Sequence, residues 1–301
     1  MVKTSRAIAL TVPVLVHHVA AMRDCMFIHG SGQLTTGAAT PTDTESYWGA
    51  DPGSMTSRTK NCQSHWFIHE DTVSRGWQDD GLISAVCAFL NGTYNTYIKP
   101  SGHDGAIRNR TIFTHSMGNL VLAQAFRSGK CSLDASSVWY SASAPWQGSR
   151  AANKVASICD GSSSSLEWLA EELHYCAKDG TPNRAYLSMT TDNPALAGLN
   201  AFAATQLSGA MCGNSDWGLT SKYSAAFEAL SAIVDYGEDN DGMVGIASCS
   251  LPSTSYSLEF SDPYYIAAIN HEDGTGAQGD GDLGESNRQP CQWYAARASR
   301  P

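Results

Sequence analysis

A chain of 301 residues that is 42% hydrophobic can bury a substantial core, as one α/β domain with insertions or as two small domains. The single domain, over 22–301, is the simpler reading. The formal net charge of −10, with no run of Lys or Arg, opposes binding to phosphate backbones or anionic headgroups and argues against a nucleic-acid partner.

Residues 1–21 carry basic Lys3 and Arg6, then an apolar run from Ala7 to Val16, then small residues up to Ala21. This is the pattern of a secretory signal peptide cleaved after Ala21, although a buried N-terminal strand or helix has a similar composition. The apolar run is too short to span a bilayer, and no later stretch reaches transmembrane length. Nine cysteines (Cys25, Cys62, Cys87, Cys131, Cys159, Cys176, Cys212, Cys249 and Cys291) are dispersed without a CxxC pair. Behind a signal peptide, such spacing implies disulfides in an oxidising, extracellular compartment, and an odd count leaves one thiol over. Asn91 and Asn109 begin Asn-x-Thr glycosylation sequons.

The elements then alternate. CMFIHG (25–30) is expected to be a buried strand running into a Gly loop, and 79–92 a helix with Leu82, Val86 and Phe89 on one face. A strand is expected at 95–100, stopped by Pro100, and another at 110–114. A helix follows from about 117 to 127 and ends at Gly129. Further strands are expected at 136–145 and 184–191, with amphipathic helices at 166–176, 193–207 and 223–234 in an insertion covering about 153–235. Those helices are core-packing elements or, for one of them, a lid over an acyl-binding groove, with GSSSS (161–165) as its hinge. Alternating strands and helices predict a mostly parallel central sheet flanked by helices.

The stretch TIFTHSMGNLVLAQAF (111–126) places Ser116 at a sharp bend between strand and helix, with Gly118 relieving crowding two residues on. A Ser followed by Gly at that spacing is weak by itself. Its placement at a strand's carboxyl end, with a helix N-terminus offering N–H groups to a developing anion, is what singles it out. Through this turn the chain resembles the α/β-hydrolase superfamily and, within it, secreted serine lipases and esterases. The resemblance covers about 25–275 and rests on IHG (28–30), THSMGN (114–119), SAPWQGS (143–149), NDGMVG (240–245) and NH (270–271). The first Gly of the usual Gly-x-Ser-x-Gly elbow is replaced here by Thr114, which implies different packing beneath the turn.

A nucleophilic Ser needs a base and the base an orienting carboxylate, in the chain order Ser, acid, His for this fold. The resemblance implies Ser116 as nucleophile, His271 as base and Asp241 as acid, with the N–H groups of Met117 and Ser31 binding the oxyanion. Asp192 is the rival acid, with helix capping beside Pro194 as its ordinary role. Of the remaining histidines, His115 is expected to support the elbow, and His17, His18, His65, His69 and His103 to be structural. Trp146 is a candidate substrate-pocket residue or a half-buried aromatic at a strand end. No cofactor is required; the acidic, Gly-rich stretch 270–285 has a composition that calcium can use but lacks EF-hand spacing.

The expected substrate is thus an ester or lipid. A thioesterase, acyltransferase or polyester hydrolase would share the same residues, and a non-catalytic secreted binding protein would share the fold.

Overall fold

The structure is a computed structural model; it describes residues 22–44, 46–50, 52–102, 104–160, 170, 174–177, 179–282 and 284–299. The signal-peptide stretch, the GSSSS segment and most of the helix expected at 166–176 lie outside the described residues.

The sheet is built from β1 (Asp24–Ile28), β2 (Gly37–Thr40), β3 (His65–His69), β5 (Arg110–His115), β7 (Val138–Ala142), β8 (Gly209–Gly213) and β9 (Tyr264–Ala267). The spatial order is β2-β3-β1-β5-β7-β8-β9. Only the β2–β3 pairing is antiparallel; the other pairs are parallel. A small separate pair joins β4 (Ala106–Ile107) to β6 (Ser132–Leu133). Every residue of β5 is buried, as required of a central strand covered on both faces.

Side-chain alternation along the strands sorts the core into two layers. Met26, Ile28 and Ile112 point to one face and pack with α2 (Asp80–Asn91) and α3 (Met117–Arg127). Cys25, Phe27 and Phe113 point to the other and meet Trp48, the short helix α1 (Met55–Arg58) through Met55, and the last helix, Pro290–Ala298, through Trp293 and Tyr294. Asp79 caps α2 by accepting the Leu82 N–H at 2.8 Å, and Gly92 ends it in the left-handed conformation, the start and stop that the sequence implied.

Disulfides join Cys25 to Cys62, Cys87 to Cys131, Cys159 to Cys176 and Cys212 to Cys249. Cys291 is the free, buried thiol. Among the described residues no helix is long and apolar enough to cross a membrane.

Three local expectations are corrected. The stretch 95–100 is a turn: Asn95 Oδ1 accepts the N–H groups of Tyr97 and Ile98, each at 3.1 Å, so the chain curls around a side chain and does not pair. The stretch 184–191 begins as a short helix, Arg184–Leu187, and not as a strand. The helix expected at 193–207 is divided into a 3₁₀ turn, Pro194–Leu196, and the helix Leu199–Ala204, with Gly198 between them at φ 71°. The helix expected at 223–234 is present as Ser224–Val234. Of the two sequons, Asn91 is the half-buried last residue of α2, and Asn109 is exposed at φ 57°.

Candidate active site

Strand β5 ends at His115 and α3 begins at Met117, so a single residue, Ser116, makes the bend. Its φ of 51° and ψ of −129° lie where L-residues are strained, at a cost of about 1–3 kcal/mol. The turn fits only because its neighbours are small. A Cβ on Gly118 would stand 2.5 Å from the His29 carbonyl oxygen, and one on Gly30 would stand 2.6 Å from Ser116 Cβ.

Beneath the bend, Thr114 does more than fill the place of a glycine. Its hydroxyl accepts the Trp139 indole N–H at 2.7 Å and donates to Asn119 Oδ1. The Asn119 amide in turn donates to the carbonyls of Ser116 at 3.0 Å and Ala142 at 2.9 Å. The Thr therefore supplies a buried polar brace for the elbow, and Asn119 ties the first turn of α3 to β7.

The structure brings Ser116, His271 and Asp241 together. Asp241 Oδ1 accepts the backbone N–H groups of Met243 at 3.0 Å and Val244 at 2.7 Å, which leaves Oδ2 to face His271 Nδ1 at 2.8 Å. A carboxylate only accepts, so the imidazole proton sits on Nδ1. His271 Nε2 is then the acceptor, and the Ser116 hydroxyl donates to it at 2.9 Å. Asp241 is 1% exposed and His271 7%, so the set is withdrawn from bulk water. The two loops are locked together by the His271 N–H donating to the Asp241 carbonyl at 2.8 Å. The disulfide Cys212–Cys249 spans from β8 to the short helix that follows the Asp241 loop. Asp192, the rival acid, is exposed in a turn where the neighbouring Asn193 caps the following 3₁₀ turn.

Met117 is the first residue of α3, so its N–H has no intrahelical partner. Ser31 lines a cavity of about 20 Å³ beside Ser116, room for about one water, walled by Tyr47, Tyr186, Phe227 and Met243. Trp146, a candidate for this pocket, lies elsewhere: it is fully buried in the core with its ring 6.1 Å from that of Trp139 and is not among the residues lining the cavity.

His29 and His115 are both buried, and burial holds both rings neutral. His29 falls to about 4 from its ordinary 6.5, while His115 is pushed well below that value by burial and by the neighbouring His271. In the stretch suited by composition to calcium, two acidic side chains turn to backbone and Glu285 pairs with Arg288. Asp273 Oδ2 accepts the N–H groups of Leu219 at 2.7 Å and Asn270 at 3.0 Å, and Asp280 Oδ1 accepts that of Cys291 at 2.7 Å. Among the described residues no group of three or more His, Cys, Asp or Glu side chains is arranged to hold a metal ion.

Tyr47, Tyr186 and Phe227 were not expected at the site. Tyr47 sits in an irregular loop, Tyr186 in a stretch whose apolar pattern imitates a strand, and Phe227 on a helix face indistinguishable from core.

No family model matches the chain, and no curated protein does. Solved structures do. The mature lipase BlEst2 of Bacillus licheniformis superposes with a TM-score of 0.54 over 89% of this chain and 92% of its own, at 18% identity. Lipase 1 of Pelosinus fermentans gives 0.56 over 92% and 97% at 13% identity, and the lipase of Staphylococcus hyicus 0.55 over 96% of both chains at 11%. The chain has the α/β-hydrolase fold, in the form found in these bacterial lipases.

Proposed function

We propose that the protein is a serine hydrolase of carboxylic esters, with Ser116 as nucleophile, His271 as general base and acid, and Asp241 as the carboxylate that fixes the imidazole. The carrying observation is the unbroken hydrogen-bonded line from the Ser116 hydroxyl through His271 to Asp241, anchored at a strained strand-to-helix bend.

Ser116 Oγ attacks the ester carbonyl carbon while His271 Nε2 takes its proton. The carbonyl oxygen, now negative, is received by the N–H groups of Met117 and Ser31. Collapse expels the alcohol, which leaves with the proton from His271. A water then attacks the acyl carbon while the same nitrogen takes its proton, and that proton passes to Ser116 Oγ as the Oγ–acyl bond breaks and the acid is released. Asp241 keeps the Nδ1 proton in place and stabilises the charged ring at each step. Trp146 contributes through the core it fills, not by touching substrate. Four disulfides support an oxidising, extracellular setting for this chemistry.

The test is hydrolysis of p-nitrophenyl acetate, butyrate, octanoate and palmitate by the folded protein and by Ser116→Ala. We expect turnover in the first and a loss on the order of 10⁴-fold or more in the second. Equal turnover in the two proteins refutes the assignment, and the chain-length profile separates an esterase from a lipase.

A further inference from the structure

Two side chains beside the site, the half-buried Tyr47 and the buried His115, take no part in the steps above, yet they join three of its components. The Gly30 N–H donates to the Tyr47 hydroxyl at 2.9 Å; that hydroxyl lies 2.6 Å from His115 Nδ1; and His115 Nε2 lies 2.9 Å from the carbonyl oxygen of His271. The direction of every proton in this line is fixed by chemistry. A carbonyl oxygen only accepts, so His115 must carry its hydrogen on Nε2. A neutral ring then has a bare Nδ1, to which the Tyr47 O–H donates. The Tyr47 oxygen, having donated, accepts from Gly30.

The line continues on the other side of Gly30. The Glu70 N–H donates to His29 Nε2 at 3.2 Å, which leaves His29 Nδ1–H to donate to the Gly30 carbonyl at 2.9 Å, and the Thr72 hydroxyl donates to the same carbonyl at 2.7 Å. With its N–H and its C=O both held, Gly30 has little freedom to rotate. In a trans peptide the C=O of one residue and the N–H of the next point in opposite directions. Fixing the Gly30 carbonyl therefore fixes the N–H of Ser31, the group assigned above to the oxyanion.

We propose that Tyr47 and His115 are positioning residues: their one-way hydrogen-bond chain sets the Gly30–Ser31 turn in register with the loop carrying His271, on either side of Ser116, before substrate binds. This rests on the reading of Ser116 as a nucleophile. The need for such a device follows from the chain path. The oxyanion turn, the elbow and the base come from three segments far apart in sequence, and small misplacement of such groups costs up to about a hundredfold in rate. His115 adjoins Ser116 covalently, so it is suited to hold the other two against it.

The chain is tested without substitution by ¹⁵N-histidine NMR, with His115 assigned from its absence in His115→Gln. The expected signature is a neutral Nε2–H tautomer whose proton exchanges slowly and which does not titrate between pH 5 and 8. An Nδ1–H tautomer, or a ring that protonates in that range, overturns the chain. Its purpose is tested by Tyr47→Phe, which keeps the ring and removes the hydroxyl. We expect kcat for p-nitrophenyl butyrate to fall about tenfold to a hundredfold, KM to stay within about twofold, and the affinity for an alkylboronic acid, which mimics the tetrahedral adduct on Ser116, to fall in parallel with kcat. Full kcat and full boronate affinity in Tyr47→Phe, beside a wild-type protein whose turnover needs Ser116, overturn the positioning role alone. A wild-type protein that neither turns over esters nor reacts with a fluorophosphonate overturns the assignment of Ser116, and the positioning role with it.

Discussion

Where the parallel strands begin, Arg110 is 3% exposed, pairs with Asp24, and also donates to the carbonyl oxygens of Leu90 and Lys99. Where β5 finishes, Ser116 is similarly buried, but its hydroxyl gives its one proton to the His271 ring. A hollow of about 510 Å³, bordered by Trp66, Tyr97 and Lys99, opens at the first end, against about 20 Å³ at the second. Space alone therefore does not mark the end at which we place the chemistry. At the roomy end the buried charge is neutralised and its donors are spent on architecture; at the tight end a serine hydroxyl is aligned with an imidazole, the pair we propose as nucleophile and base.

That contrast can be broken by substitution. Asp241→Asn keeps the volume of the side chain but places a donor where the His271 N–H needs an acceptor, and we expect kcat to fall about 10³- to 10⁴-fold with little change in melting temperature. A kcat near wild type would show that the carboxylate does not set the tautomer of His271. At the other end, Arg110→Met leaves Asp24 without its partner. Stability in urea should fall by about 3–5 kcal/mol while kcat, measured below the melting transition, is unchanged. Loss of kcat in that variant without loss of stability would couple the two ends.

A smaller effect sharpens the same comparison. Asp273 is buried near His271, and its carboxyl is raised to about 7 from an ordinary 3.8 by burial, partly offset by the two backbone N–H groups that it accepts. The folded protein thus holds a proton between about pH 4 and 7 that the unfolded chain has released, and this group's contribution to stability declines as pH rises through that window. Asp273→Asn keeps an acceptor but removes the titration. Urea unfolding at pH 5 and pH 8 should show a smaller loss with rising pH in the variant; equal losses would mean that Asp273 is ionised throughout.

The elbow was legible because its signals are local: a β-branched strand, a Gly two residues after Ser116, and an apolar-periodic helix. His271 and Asp241 were singled out by chain order and the resemblance, and the structure sets the two side chains in hydrogen-bonded line with Ser116. The strand His65–His69 was not, since its terminal histidines interrupt the apolar run, and neither was Gly209–Gly213, whose glycines have low strand propensity. The glycines of that strand answer to tertiary crowding: a Cβ on Gly213 would come 2.5 Å from the Ile269 carbonyl oxygen and 2.8 Å from Asp241 Cβ. The false strand at 184–191 has apolar alternation, but the Ala185 N–H bonds to the Val73 carbonyl, a contact set by a distant loop. The cavity walls were hidden for the same reason, because no local pattern distinguishes a Tyr that faces Ser116 from one that faces the core.

The proposed nucleophile and its base are 155 positions apart, and the base follows its proposed carboxylate partner by 30. During synthesis the elbow therefore emerges long before anything that can activate it. A nascent chain halted short of residue 271 already contains β1, β3 and β5 but has only an ordinary alcohol at position 116. Under the proposed chemistry the producing cell is thereby shielded from a half-made hydrolase, and the onset of ester cleavage in a translation time course would mark the moment at which the distal loops close over the elbow.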